Sequence, residues 1–117
     1  NLHQLVFHLM KVLSLMKKKN CRHVLVQEDG KLCGVISERD IYRSYFDHPK
    51  GEKLIAQDIM TKDVYRVARK ENIDKVVFYM SDQKIGSAVV EDKNQNIFGI
   101  FTSTDALNAL VEIIRKK

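Results

Sequence analysis

The 117 residues are enough for one domain or two small, intimately packed halves, and a chain of this size can bury a core without covalent staples. With 44% apolar and 30% charged residues it has the balance of an ordinary soluble domain, no apolar run long enough to span a bilayer, and no leader pattern, so a membrane partner is not expected and the expected location is cytoplasmic. The net charge of +5 comes partly from Lys17-Lys18-Lys19 and Arg115-Lys116-Lys117, both at expected helix C-termini where cations favour the dipole, and no base-reading or stacking residues interleave with them, so nucleic-acid binding ranks last.

Residues 2–16 carry apolar side chains at positions 2, 5, 6, 9, 10, 12, 13 and 16, which is helical spacing. Residues 21–26 and 32–36 are apolar and β-branched, and Glu28-Asp29-Gly30 between them marks a hairpin, because Gly accepts a positive φ without steric cost. Cys21 and Cys33 fall inside these strands and are expected as buried, reduced thiols. Asp40 is expected to open a helix that runs through residue 46. His48-Pro49-Lys50-Gly51 breaks the chain and divides a first domain, 1–49, from a second, 50–117. A short helical turn over 54–60 leads to a strand at 64–67, a helix over 73–81, a strand over 86–90 and a turn over 92–96. A strand over 97–101 and a helix over 103–114 complete the chain.

The chain repeats itself. Gly34-Val35-Ile36-Ser37-Glu38-Arg39-Asp40 is matched by Gly99-Ile100-Phe101-Thr102-Ser103-Thr104-Asp105. Upstream, Val12, Leu13 and Met16 match Val76, Val77 and Met80, and residues 21–26 match residues 85–90. The offset is 64 residues through the first strand and 65 at the glycines, so the one length change falls in a turn, where insertions are tolerated. Each copy reads β-α-β-β-α, except that the strand at 64–67 maps onto residues 0–3, which read as helix. Either the first strand lies upstream of Asn1, or residues 1–10 are a leading helix set apart from the repeat.

Ser/Thr-x-x-Asp at a strand-to-helix turn has a definite chemistry. The carboxylate is favoured by the free N–H groups and dipole of the helix start. Its second oxygen can accept hydrogen bonds from vicinal hydroxyls such as those of a ribose, and the hydroxyl three residues earlier can donate to a phosphate. The plainer alternative is that Asp40 and Asp105 are ordinary helix caps. Other chemistries lack their residues. His3, His8, His23 and His48 have no cysteine or carboxylate at metal-ligand spacing. Ser37 is not in a Gly-x-Ser-x-Gly elbow, and the chain has neither a Walker loop nor a dinucleotide fingerprint. No catalytic residue and no metal site is expected.

Tandem β-α-β-β-α units, each ending in Gly, two apolar residues, Ser/Thr-x-x-Asp, resemble a pair of cystathionine β-synthase (CBS) domains, the Bateman module. Asp58-Ile59-Met60-Thr61-Lys62-Asp63-Val64-Tyr65-Arg66-Val67 resembles the segment that opens the family's second domain. Residues 22–26 resemble the strand that carries a proline in many members, where Val24 and Ala88 stand here. The resemblance implies an α+β fold, a pseudo-symmetric pair, and a regulatory module that is not an enzyme and has no resident cofactor. Its ligand would be an adenine nucleotide (AMP, ADP or ATP), with S-adenosylmethionine as a further candidate.

The resemblance also implies composite clefts, carried over here by position. Site A takes Thr61, Val64, Tyr65 and Arg66 from the start of the second copy, with Ile85, Gly86 and Ser87 around the base. Val35, Ser37, Arg39 and Asp40 complete it, Asp40 on the ribose and Ser37 and Arg39 near phosphate. Site B takes Cys21, Arg22 and His23 with Ile100, Thr102, Thr104 and Asp105, and lacks the first copy's opening strand. The apolar stripes of 73–80 and 106–114 suit a homodimer, with packing inside the pair as the competing explanation. Phe7, Tyr42, Tyr45, Phe46, Phe78 and Tyr79 are expected in core or interface. The alternatives are a ligand-free dimerisation module and a regulatory fragment of a larger enzyme or transporter.

Overall fold

The structure is a computed structural model and describes residues 9–49, 54 and 56–116. It divides into two compact units, Asn1–Asp63 and Val64–Lys117, and each is described by itself. The sequence boundary at 49/50 leaves residues 56–63 with the second copy, whereas this division groups them with the first unit. Residues 50–53 and 55, which include half of the expected linker, lie outside the described residues.

The first unit consists of α1 (Leu9–Lys18), β1 (His23–Glu28), β2 (Lys31–Ser37), α2 (Glu38–Asp47) and the single turn α3 (Ala56–Ile59). Positions 2–8 of the helix expected over 2–16 fall outside the described residues, and α1 extends two residues beyond the expected end at Met16. Asn20 stops the helix in the left-handed region (φ 54°), and the Cys21 N–H bonds back to the Met16 carbonyl at 2.9 Å. β1 and β2 pair antiparallel around Asp29-Gly30, both at positive φ, and a bulge interrupts the register between Val26 and Gln27. The core gathers Leu13 and Met16 from α1, Val26 and Ile36 from the hairpin, Ile41 from α2 and Ala56 from α3.

The second unit runs β3 (Arg66–Ala68), α4 (Ile73–Gln83), β4 (Ser87–Glu91), β5 (Ile97–Thr102) and α5 (Ser103–Arg115), the β-α-β-β-α order of the repeat. Its sheet has the order β3-β4-β5, parallel then antiparallel. Two local irregularities recur at the repeat's offset. Lys84 ends α4 in the left-handed conformation, as Asn20 ends α1, and the bulge falls between Val90 and Glu91, as it does between Val26 and Gln27. Val67, Val76, Met80 and Ala88 form the core. The methionines of the repeat, Met16 and Met80, are both buried.

Three expectations are corrected. α2 opens at Glu38 rather than Asp40, because the Ser37 side chain takes the N-cap position and places Asp40 one turn inside. β3 covers 66–68 rather than 64–67. Cys21 and Cys33 are free but half-buried rather than buried, each packing at the margin of the first core. The aromatics divide as well. Tyr45 packs on the core, while Tyr42, Phe46, Phe78 and Tyr79 are exposed, and Phe7 lies outside the described residues. α5 buries none of its residues, so packing within the unit does not explain its apolar stripe.

The glycines that open the two heptads do different work. A Cβ on Gly34 would lie 2.7 Å from both the Met60 sulfur and the Thr61 carbonyl oxygen, whereas a Cβ on Gly99 would meet nothing within 4 Å. Gly34 lets residues 60–61 close onto β2: the Val35 N–H donates to the Thr61 carbonyl (3.0 Å) and the Thr61 N–H donates to the Val35 carbonyl (2.8 Å). Gly34→Ala is therefore expected to destabilise by about 1–3 kcal/mol, and Gly99→Ala to stay within about 0.5 kcal/mol of the parent. Urea unfolding of both variants checks this, and equal losses would remove the distinction.

Candidate functional site

Each unit carries one strand-to-helix turn whose side chains are tied together by the same hydrogen bonds. In the first, β2 ends at Ser37, an extended N-cap (φ −98°, ψ 161°). The Asp40 N–H donates to Ser37 Oγ at 3.0 Å, and the Ser37 N–H donates to Asp40 Oδ2 at 2.8 Å. This is a capping box with Asp in the place usually held by Glu or Gln. In the second, the Thr102 N–H donates to Asp105 Oδ2 at 2.8 Å and the Asp105 N–H donates to Thr102 Oγ1 at 3.3 Å. The two hydroxyls differ. Thr102 Oγ1 also donates to Asp105 Oδ2 (3.0 Å), while the Ser37 hydroxyl proton has no acceptor among the described residues.

The adjoining strand takes up the next backbone donor. The Glu38 N–H bonds to the Arg22 carbonyl at 2.8 Å, and the Ser103 N–H to the Gly86 carbonyl at 3.0 Å. Among the described residues this leaves each turn with one carboxylate oxygen, Oδ1 of Asp40 or Asp105, and one backbone N–H, that of Arg39 or Thr104, without a partner. Such a turn can accept from a hydroxyl and donate to an anion within one helical turn. Asp40 is half-buried and Asp105 is exposed.

The remaining sequence candidates fall into place by unit. His23 stands opposite Ser37 and Ser87 opposite Thr102, so residues 21–23 flank the first turn and residues 85–87 the second. Thr61 lies across from Val35, two residues before Ser37, and its side chain is exposed. Cys21 and Ile85 pack against the cores. Val64 and Ile100 are half-buried. Arg66 forms an ion pair with Glu91 at 3.1 Å. Tyr65 anchors β3, its carbonyl accepting from the Val89 N–H at 2.8 Å, and its ring stacks on Tyr79 with centroids 4.2 Å apart. Burial raises the Tyr65 phenol above its ordinary range, and Tyr79 and Glu71 add to this, so the hydroxyl stays protonated at neutral pH.

Sequence reasoning did not foresee an open cleft of about 740 Å³ between β3 and α4, lined by Tyr65, Arg66, Ala68, Glu71, Phe78 and Tyr79. No motif links those residues, and only the packing of the helix on the strand assembles them. Neither Thr102 nor Asp105 lines it.

A family model, the CBS domain, matches residues 7–47 and 56–112. The chain belongs to the CBS domain family. It is a tandem pair, and the two matched segments lie on either side of the 49/50 sequence boundary. Such pairs are regulatory ligand-binding modules in type. The fold is similar to that of the CBS domain pair of protein MJ0100 in complex with 5'-methylthioadenosine and S-adenosyl-L-methionine, with a TM-score of 0.77 and 28% identity over 91% of this chain and 83% of that one. Among curated proteins, an L-aspartate semialdehyde sulfurtransferase of Methanocaldococcus jannaschii is 32% identical over 83% of this chain and 18% of its own length. A homoserine O-acetyltransferase of Methanococcus vannielii is 28% identical over 86% of this chain and 20% of its own length. The chain thus spans about a fifth of the length of each of these two curated relatives. Among the described residues, no helix is long and apolar enough to cross a membrane and no cluster of potential metal ligands occurs.

The turns of this CBS pair are structural before they are anything else. Ser37→Ala and Thr102→Ala are each expected to cost about 1 kcal/mol of stability through loss of the N-cap, with Ser103→Ala close to neutral. Calorimetric melting of the three variants measures it, and an unchanged melting temperature in both cap variants would contradict the assignment.

Proposed function

We propose that this CBS pair is a regulatory module that binds an adenosine-containing ligand, an adenine nucleotide or S-adenosylmethionine, through the turns Ser37–Asp40 and Thr102–Asp105. The observation that carries this reading is the state of the two carboxylates. Each is held by Oδ2 in its capping box, while among the described residues Oδ1 and a neighbouring N–H have no partner. Asp Oδ1 accepts from a ribose hydroxyl, and the Arg39 or Thr104 N–H donates to a polar group of the ligand. The Ser37 hydroxyl, still holding its proton, suits a phosphate oxygen. Thr61, Val64, Tyr65, Arg66, Ile85, Gly86 and Ser87 are carried as residues around the ligand on the strength of the family resemblance alone, and Arg66 would have to share its guanidinium with Glu91. The similar pair that holds 5'-methylthioadenosine and S-adenosyl-L-methionine supports the ligand class. Ligand binding biases an effector only to the extent that the ligand binds two states of the module unequally. The small share of these two curated relatives that the chain covers supports an effector on the same or a partner polypeptide.

A second reading, a dimerisation module without ligand, is favoured by α5, where Leu107, Leu110, Val111, Ile113 and Ile114 are all exposed. The two readings are compatible, and we infer a homodimer through this face.

Titration of AMP, ADP, ATP, 5'-methylthioadenosine and S-adenosylmethionine against thermal unfolding tests the ligand reading. Saturation at about 100 times Kd is expected to stabilise by about 2.7 kcal/mol, and no response to any of the five would leave only the dimerisation module. Asp40→Asn keeps an oxygen for the cap but turns the outward acceptor into an amide donor. It is expected to weaken the responding ligand by about tenfold or more, the value of one hydrogen bond to a charged group, while the melting temperature stays near the parent's. Leu110→Asp combined with Ile114→Asp is expected to convert a dimer to a monomer in sedimentation equilibrium, and an unchanged mass would remove α5 from the interface.

A further inference from the structure

The outer edge of β5 is open where the matching edge of β2 is closed. On β2, Val35 both gives a backbone hydrogen bond to Thr61 and accepts one from it, and Met60 lies over Gly34, where no side chain stands in the way. The matching residues of β5 are Gly99 and Ile100. The Val89 N–H donates to the Tyr65 carbonyl, so Val89 turns its polar groups toward β3. Ile100, directly opposite Val89 in the antiparallel pair, therefore turns its own away from β4. β5 is the last strand of its sheet, and among the described residues neither the N–H nor the carbonyl of Ile100 has a partner. Nothing lies within 4 Å of the Cβ position of Gly99.

The cores show the same difference. Ala56 belongs to the first core cluster with Ile36 and Ile41, and Ile59 and Met60 pack against it. Gly34, Val35, Ile36 and Ile41 are all buried there, whereas Gly99, Ile100, Phe101 and Ala106, at the matching positions, are half-buried. The first unit thus shows what such an edge takes: a short apolar segment ending in a residue bonded through its backbone. Unpaired edge strands recruit extended chain in this way, and the glycine leaves room for a long side chain to lie against the strand. We propose that the Gly99–Ile100 edge of β5 docks a partner polypeptide segment of the Ile59-Met60-Thr61 kind. Its backbone gives one hydrogen bond to Ile100 and accepts another, and its long apolar side chain lies over Gly99. So docked, it braces the strand that leads into the Thr102–Asp105 turn, as residues 60–61 brace the strand that leads into Ser37–Asp40. The proposal does not depend on the ligand reading.

NMR titration of the full, isotope-labelled chain with a synthetic peptide of the sequence of residues 54–63 tests this. The peptide is expected to shift the Gly99 and Ile100 amide signals, to saturate with a Kd of about 1 mM or tighter, and to slow hydrogen exchange at the Ile100 N–H. The same peptide carrying Thr61→Pro has no N–H to give and is expected to bind about tenfold or more weakly. In the chain, Gly99→Ala puts a Cβ where the docked backbone must pass. It is expected to weaken the peptide by about tenfold or more, while its own melting temperature stays near the parent's. Signals that do not move, equal binding by Gly99→Ala, or equal binding of the proline peptide would each overturn the proposal. Shifts confined to Gly34 and Val35 would mean that the peptide only displaces its own copy on β2, and would count against it equally. An Ile100 N–H that is protected in the free chain, increasingly so at higher protein concentration, would assign the edge to a second copy and overturn it as well.

Discussion

Each unit is organised around a carboxylate that closes back on the strand feeding its own helix. Asp40 and Asp105 sit at the third position of their helices and accept from the N–H of the preceding N-cap, while that N-cap's hydroxyl accepts from theirs. Two otherwise unpaired backbone donors are satisfied, and the direction in which the chain leaves the strand is set. The same bonds hold the carboxylate plane, so the orientation of its second oxygen comes with the cap. The capping box therefore does not compete with the proposed ligand binding, which would use the other oxygen of the same group.

Around that shared device the two units have diverged. Gly34 is pressed against Met60 and the Thr61 carbonyl, so the first turn is braced by a segment that follows it in sequence, and Gly99 has no such neighbour. Ser37 retains a hydroxyl proton that Thr102 gives to its own carboxylate. Asp40 is half-buried and Asp105 exposed. The helices that follow differ in the apolar residues they expose: α2 shows the aromatic Tyr42 and Phe46, α5 aliphatic side chains. An internal repeat with one fold can thus offer unlike surfaces, because the capping box constrains only three or four positions and leaves the outward stripe of the helix open to change.

Much of the architecture was legible because short-range rules govern it. The Asp29-Gly30 hairpin, the helical spacing around Met16 and Met80 and the doubled heptad all act within a few residues, and all appear in the structure. Helix starts were less legible where a side chain competes for the backbone, which is why α2 begins at Glu38 and not at Asp40. The exposure of Phe46 and Phe78 was not legible at all. An aromatic residue on a helix face has the same local signature whether the face is covered or not.

By itself the sequence determined the repeat, the family and the identity of the two turns, since these rest on residue type at fixed spacing. Only the tertiary structure decided that residues 56–61 belong with the first unit, that Tyr65 stacks on Tyr79, and which oxygen of each aspartate stays available. Those outcomes depend on contacts between residues far apart in the chain, or on the direction of single hydrogen bonds. Neither leaves a periodic trace in the order of the amino acids.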